Sequence, residues 1–277
     1  MASSLTFLKY YLRTALSSKP LWGWAIGFMV FWLVMGVVEA LSSPSTRFIL
    51  PEAKLGYVGA WYATVTVIGL GSAAVGLCRD LAFSSVAARY LTKYSKLSSS
   101  KLFGSLVAGF VVVCLVISLV LLAIAIPMYS AALGINALPK NVAGVLATSI
   151  ALGTLLYALS AALVFGAIAL RSAKGMYFVS YVPLIVSLGL ALSQVYANLG
   201  WAIVISPFNA ASTLIFSYFT GTAPRLTSFA GWSLSAPTLP TYLLWVSLVG
   251  WTLGLSAIAI ALLRIQRGVG IEELRLV

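Results

Sequence analysis

The sequence predicts an all-α membrane protein, a bundle of six transmembrane helices with both termini in the cytoplasm. Three observations predict it. Hydrophobic residues make up 61% of the chain and charged residues 8%, against about 25% charged in soluble domains, so water is not the main solvent. Six apolar runs are each long enough to cross a hydrocarbon layer roughly 30 Å thick. The lysines and arginines fall between those runs, and mostly on one side of them.

The lead-in to the first run places Leu5, Leu8, Tyr11, Leu12, Ala15 and Leu16 on one arc at helical spacing, with Lys9 and Arg13 opposite. This predicts an N-terminal amphipathic helix lying in the interface, its basic face among anionic headgroups. The first run, Leu21 to Leu41, follows Lys9, Arg13 and Lys19 and contains Val38-Glu39-Ala40, which looks like a signal-peptide cleavage site. The run exceeds the roughly 7 to 15 apolar residues of a signal core, so a retained span is expected.

Further runs lie at Tyr57 to Cys78, Phe103 to Pro127, Val142 to Leu170, Met176 to Asn198 and Tyr242 to Leu263. Backbone amides in lipid need partners within their own segment, and alternating strand patterns are absent, so all six read as helices. Pro183 removes one donor inside the fifth and predicts a kink. Little chain remains for a soluble unit, and residues 1–277 read as a single transmembrane domain.

Orientation follows from the cations. Thirteen of the 17 lie at the two ends and in the second and fourth connections, and the other four are Arg47, Lys54, Lys140 and Arg225. The richer side is cytoplasmic by the positive-inside rule, and the even number of spans puts both termini there. The net charge of +12 is thereby explained by topology, without nucleic acid as a partner.

Two connections carry more than a turn. Arg79 to Lys101 is long and basic, with Arg89 and Lys93 one turn apart and Val86, Tyr90, Leu91 and Leu97 among them. A short amphipathic cytoplasmic helix is expected, offering Arg89, Tyr90, Lys93 and Lys96 as a docking surface. On the opposite side, Pro207 to Phe219 is apolar yet too short to cross, which fits a partly inserted segment packed on the extracellular ends of the spans. Thr220 to Thr241, rich in Gly, Ser, Thr and Pro, reads as a loop.

Catalytic chemistry has few candidates. Histidine is absent, and the five acids are Glu39, Glu52, Asp80, Glu272 and Glu273. None falls near the middle of a span, which argues against the ion or proton relays of coupled carriers. No lysine follows a glycine or precedes Ser or Thr, so the phosphate-cradling P-loop is missing and no cofactor is expected on this chain. Cys78 and Cys114 read as small buried hydrophobes. Gly69 with Ala73, Ser72 with Gly76, and Ala158, Ala162 and Gly166 recur at four-residue spacing and predict close helix contacts. Trp22, Trp24, Trp32, Trp61, Tyr62, Trp201, Trp232, Trp245 and Trp251 read as an interfacial belt, with a cation-holding aromatic cage as the alternative.

This layout resembles the ABC transporter type-2 permeases. The stretch Ala88-Arg89-Tyr90-Leu91-Thr92-Lys93-Tyr94-Ser95-Lys96-Leu97-Ser98-Ser99-Ser100-Lys101-Leu102-Phe103-Gly104 looks like that family's passage from coupling helix into third span. Ser206-Pro207-Phe208-Asn209 after the fifth span is similar to another of its features. The stretch Arg79 to Lys101 has neither the Gly nor the Glu that many members carry in the coupling helix.

The resemblance implies a non-enzymatic permease subunit; the alternatives are a non-transporting anchor or assembly component, and a secondary transporter or channel. It implies a homodimer or heterodimer of permease chains in the cell membrane. It also implies a separate ABC ATP-binding subunit, holding ATP and Mg, docked at Arg89, Tyr90, Lys93 and Lys96. Substrate would pass outward between the two halves, along the second and fifth spans.

Overall fold

The computed structural model describes residues 9, 12–13, 16–17, 22–42, 50–94, 98–170, 173–231 and 236–265, with backbone alone at 24, 79, 83–94 and 173–174. Six helices are long and apolar enough to cross a membrane, and no named strand occurs among the described residues. A π-helical turn, Gly23–Gly27, leads into α1 (Phe28–Ser42). Then come α2 (Pro51–Tyr94), α3 (Ser99–Leu133), α4 (Val142–Ala169) and α5 (Ala173–Tyr196). The short α6 (Ala202–Ile205) and α7 (Pro207–Thr220) precede the last span, α8 (Thr241–Ile265).

The spans are not equivalent. Of the most apolar window in α2, 83% is buried, against 17% in α8, so α2 lies at the centre and α8 at the rim. The rim helices α1, α5 and α8 leave Phe31, Phe178, Ile185, Val246 and Leu253 more than half exposed. Apolar surface on that scale is stable only against lipid or another chain.

Glycines set the closest crossings. At Gly69 of α2 an added Cβ would strike the Met29 side chain of α1, and at Gly71 it would lie 2.5 Å from Ser187 Cβ of α5. Gly69 bears out the four-residue spacing, and Ser72, Ala73 and Ala158 of the same pattern are fully buried. Gly76 faces open space, and Gly166 meets only Leu262 at 3.8 Å. Cys78 and Cys114 are free and buried, as hydrophobes of their size should be.

Two boundaries differ from the sequence reading. The separate short helix expected within Arg79 to Lys101 is instead the last third of α2, which runs without a break to Tyr94. No Gly or Pro occurs between Leu77 and Tyr94, and nothing interrupts propagation of the hydrogen-bond ladder. The third span does not stop at Pro127: α3 continues to Leu133, where Gly134 caps it at φ 65° and donates to Ser130 O.

The segment expected to insert partway is α7, and all its residues but Tyr218 and Thr220 are buried. It packs among α2, α4 and α8. Its contacts with Gly59, Tyr62 and Gly144 lie at the first turns of α2 and α4, the same end of the bundle. After it, Gly221 turns the chain at φ 76°, and Arg225 forms an isolated antiparallel bridge with Thr238 across the loop.

Candidate functional site

The last turns of α1 and the first turns of α2 meet at Gly36. A Cβ there would strike the Tyr129 hydroxyl and come within 2.9 Å of the Trp61 ring. The Tyr57 hydroxyl donates to Gly36 O at 2.7 Å and the Tyr129 hydroxyl to Leu33 O at 3.3 Å, so two tyrosines hold α1 by its backbone. With Gly36 fixed, helical spacing puts Trp32 one turn before it and Glu39 one turn after, on the same face. Both line a cavity of about 470 Å³.

α2 supplies the second wall with Glu52, Tyr57, Trp61 and Thr64. The Thr64 hydroxyl is turned back onto Ala60 O at 2.8 Å, so that part of the wall presents its apolar side. α5 supplies Leu192, Val195 and Tyr196. The end wall is Phe229 and Ala230, whose amides donate to Gln194 O and Val195 O at 2.9 Å each. Those two carbonyls belong to the last turn of α5 and would otherwise lack helical partners. The Phe229 ring stacks on Phe216 of α7, with centroids 4.9 Å apart and planes at 25°.

A buried polar chain fixes this end wall. Asn209 Nδ2 donates to Leu190 O at 2.9 Å and to Gln194 Oε1 at 3.2 Å, and Gln194 Nε2 donates to Thr227 O at 3.2 Å. α5, α7 and the loop are thus linked through two amides. The local sequence explains the start of α7: the Ser206 hydroxyl caps it by accepting from Asn209 N, and Pro207 stands at its first position, where no amide is needed. Its other end is tied to α4, since Lys140 N and Asn141 N donate to Phe219 O and Tyr218 O.

The rim of the cavity is anionic among the described residues. Glu39 lies in the last turn of α1, which has no basic residue, and there its charge adds to the negative end of the helix dipole. Glu52 lies in the first turn of α2, where the dipole favours it. Lys54 is directed elsewhere, its Nζ donating to Leu133 O at 2.8 Å. The Trp32 Nε1–H is shielded from solvent and has no hydrogen-bond partner among the described residues.

The residues singled out from sequence lie elsewhere. Lys9 and Arg13 are exposed on helical backbone while Leu12 packs against the bundle, and most of that lead-in lies outside the described residues. Arg89, Tyr90 and Lys93 are on the backbone of α2 past its apolar part, their side chains outside what is described, and Lys96 lies outside the described residues. The residues lining the cavity do not include any of them. No protein-family model matches the chain, and no curated protein matches it.

Sequence reasoning missed the cavity because its parts were assigned one by one. Glu39 was placed at a span end, and Trp32, Trp61 and Tyr62 in an interfacial belt. Tyr62 is instead fully buried against Phe219, with centroids 5.3 Å apart. The available signal was the pairing of Trp32 with Glu39 two turns apart on one helix and Tyr57 with Trp61 one turn apart on the next.

Proposed function

We propose that this chain is the membrane-spanning permease subunit of an ATP-driven transporter of the ABC type-2 class. It acts as an exporter in the cell membrane, docked to a separate ATPase subunit that binds ATP and Mg. The observation that carries the reading is α2. At 1.5 Å per residue its 44 residues make a rod about 66 Å long, roughly twice the hydrocarbon thickness.

One end of that rod brings Glu52, Tyr57 and Trp61 to the cavity. The other carries Arg89, Tyr90 and Lys93 some 10 to 17 Å past Ala82, where the apolar part ends. A chain without a P-loop must take its motor from a partner. The basic end of α2 is a lever for one, because an unbroken helix delivers a push at Tyr90 to the cavity without an intervening hinge. Close packing at Gly71 passes the same movement to α5. The cavity then alternates between two arrangements, selected by the nucleotide state of the partner.

The exposed apolar faces of α1 and α5 flank the cavity, and a second permease chain covering them completes the pathway. Positive-inside orientation puts the basic end of α2 and both termini in the cytoplasm and the cavity at the outer side.

Co-purification tests the reading. The chain is co-expressed with a P-loop ATPase encoded beside it and isolated in detergent. Stoichiometric association is expected, lost on double charge reversal, Arg89→Glu with Lys93→Glu. An anchoring role predicts no such loss, and transport that persists after ATP depletion would indicate a channel or secondary carrier. A chain that never associates with an ATPase overturns the proposal.

A further inference from the structure

The geometry points to an amphiphilic cation as the ligand of the cavity: an ammonium group and an apolar tail. Two independent features specify those two parts. Glu39 and Glu52 are two of the five acids in the chain, and both line the same cavity. Glu39 stands at the helix end that disfavours it, so a cation beside it relieves repulsion from the α1 carbonyls as well as neutralising its own charge. The Trp32, Tyr57, Trp61 and Tyr196 rings line the same space, and aromatic faces hold ammonium groups through their negative π-surface.

Val65, Ile68 and Leu192 supply the second, an apolar floor along the groove. At about 470 Å³ the space lies in the range of small-molecule sites. An anionic glycan would be repelled by the two glutamates.

Calling such a ligand the cargo rests on the permease reading; its binding does not. Arg47, between Glu39 and Glu52 in the sequence, lies outside the described residues, and the test includes it. Two sources present the required chemistry, a lipid headgroup carrying choline or ethanolamine and a free cationic amphiphile, and the competition arms separate them.

The test uses the full chain in uncharged maltoside micelles, with radiolabelled lauroylcholine below its micellar concentration, by equilibrium dialysis against protein-free micelles. Its neutral carbon isostere, 3,3-dimethylbutyl laurate, is the control. Lauroylcholine should bind saturably, one per chain, and at least about tenfold more tightly than the isostere, the scale of one good cation–π or carboxylate contact. Glu39→Gln with Glu52→Gln should abolish that preference while leaving binding of the isostere unchanged. Both glutamates are exposed, and an unchanged elution profile shows the fold intact.

Displacement by dihexanoyl phosphatidylcholine where tetrabutylammonium fails assigns the site to a headgroup; the reverse assigns it to a free cation. Equal affinity for lauroylcholine and its isostere overturns the inference. So does binding that emerges only with Arg47→Ala, since the arginine is then the resident cation. Either result leaves association with the ATPase untouched, and loss of that association leaves these affinities untouched.

Discussion

Gly71→Ala should destabilise the protein, although helix propensity alone predicts the opposite sign. Alanine is worth about 1 kcal/mol more than glycine inside a helix. Against that, the new methyl would lie 2.5 Å from Ser187 Cβ and 3.2 Å from the Pro183 carbonyl oxygen, and would strike Ser187 Oγ. Ordinary carbon contacts are 3.5–4.0 Å, so α2 and α5 must part by about 1 Å. Rotation of a side chain cannot relieve it, because one neighbour is a Cβ and the other is backbone. Overpacking of this kind costs typically 1–3 kcal/mol, and we expect a net loss of about 1–2 kcal/mol after the propensity gain.

The assay is equilibrium unfolding of the purified chain in mixed micelles, with two companions. Gly76→Ala, five residues along the same helix and with nothing within 4 Å of its would-be Cβ, should be neutral or stabilising by up to about 1 kcal/mol. Ser187→Gly removes the obstructing Cβ, so Gly71→Ala in that background should show a favourable coupling of at least about 1 kcal/mol. Equal effects of alanine at 71 and 76, or no coupling with Ser187→Gly, would refute the close α2–α5 crossing.

Other outcomes follow from the cavity's supports. Asn209→Leu leaves the buried Gln194 amide short of a partner and should cost about 1–3 kcal/mol, read in the same unfolding assay. Ser206→Ala removes the cap of α7 and should cost about 1 kcal/mol, with Ser206→Asp restoring most of it. Gly36→Ala forces α1 off Tyr129 and Trp61 and should reshape the cavity, reducing the binding of lauroylcholine by dialysis more than it lowers unfolding stability.

Helix existence was legible in the sequence because in lipid it depends on run length and composition, which are local. Helix ends were less so. Pro127 reads as a terminator, yet α3 carries it, one lost donor being small against the packing of Ala125, Tyr129 and Leu133 around it. The end of α2 differs for the converse reason: the charges from Arg79 onward mark where apolarity stops, and a helix ladder does not depend on apolarity.

The cavity was not legible, because it is made by long-range crossings. Gly36 matters only for what stands opposite it, Tyr129 and Trp61, and neither is near it in sequence. Ser206-Pro207-Phe208-Asn209 lies between these cases. Its capping chemistry is local, whereas the bond from Asn209 to Gln194 depends on α7 folding back against α5.

In the proposed function α2 crosses the membrane with its cavity end outside and its basic end in the cytoplasm. Single cysteines at the two ends, Glu52→Cys and Tyr90→Cys in a background with Cys78→Ala and Cys114→Ala, test that directly with a membrane-impermeant maleimide on intact cells. The cysteine at 52 should react from outside, and the one at 90 only after the membrane is permeabilised. Labelling of both from the same side, or of position 90 alone from outside, would contradict it.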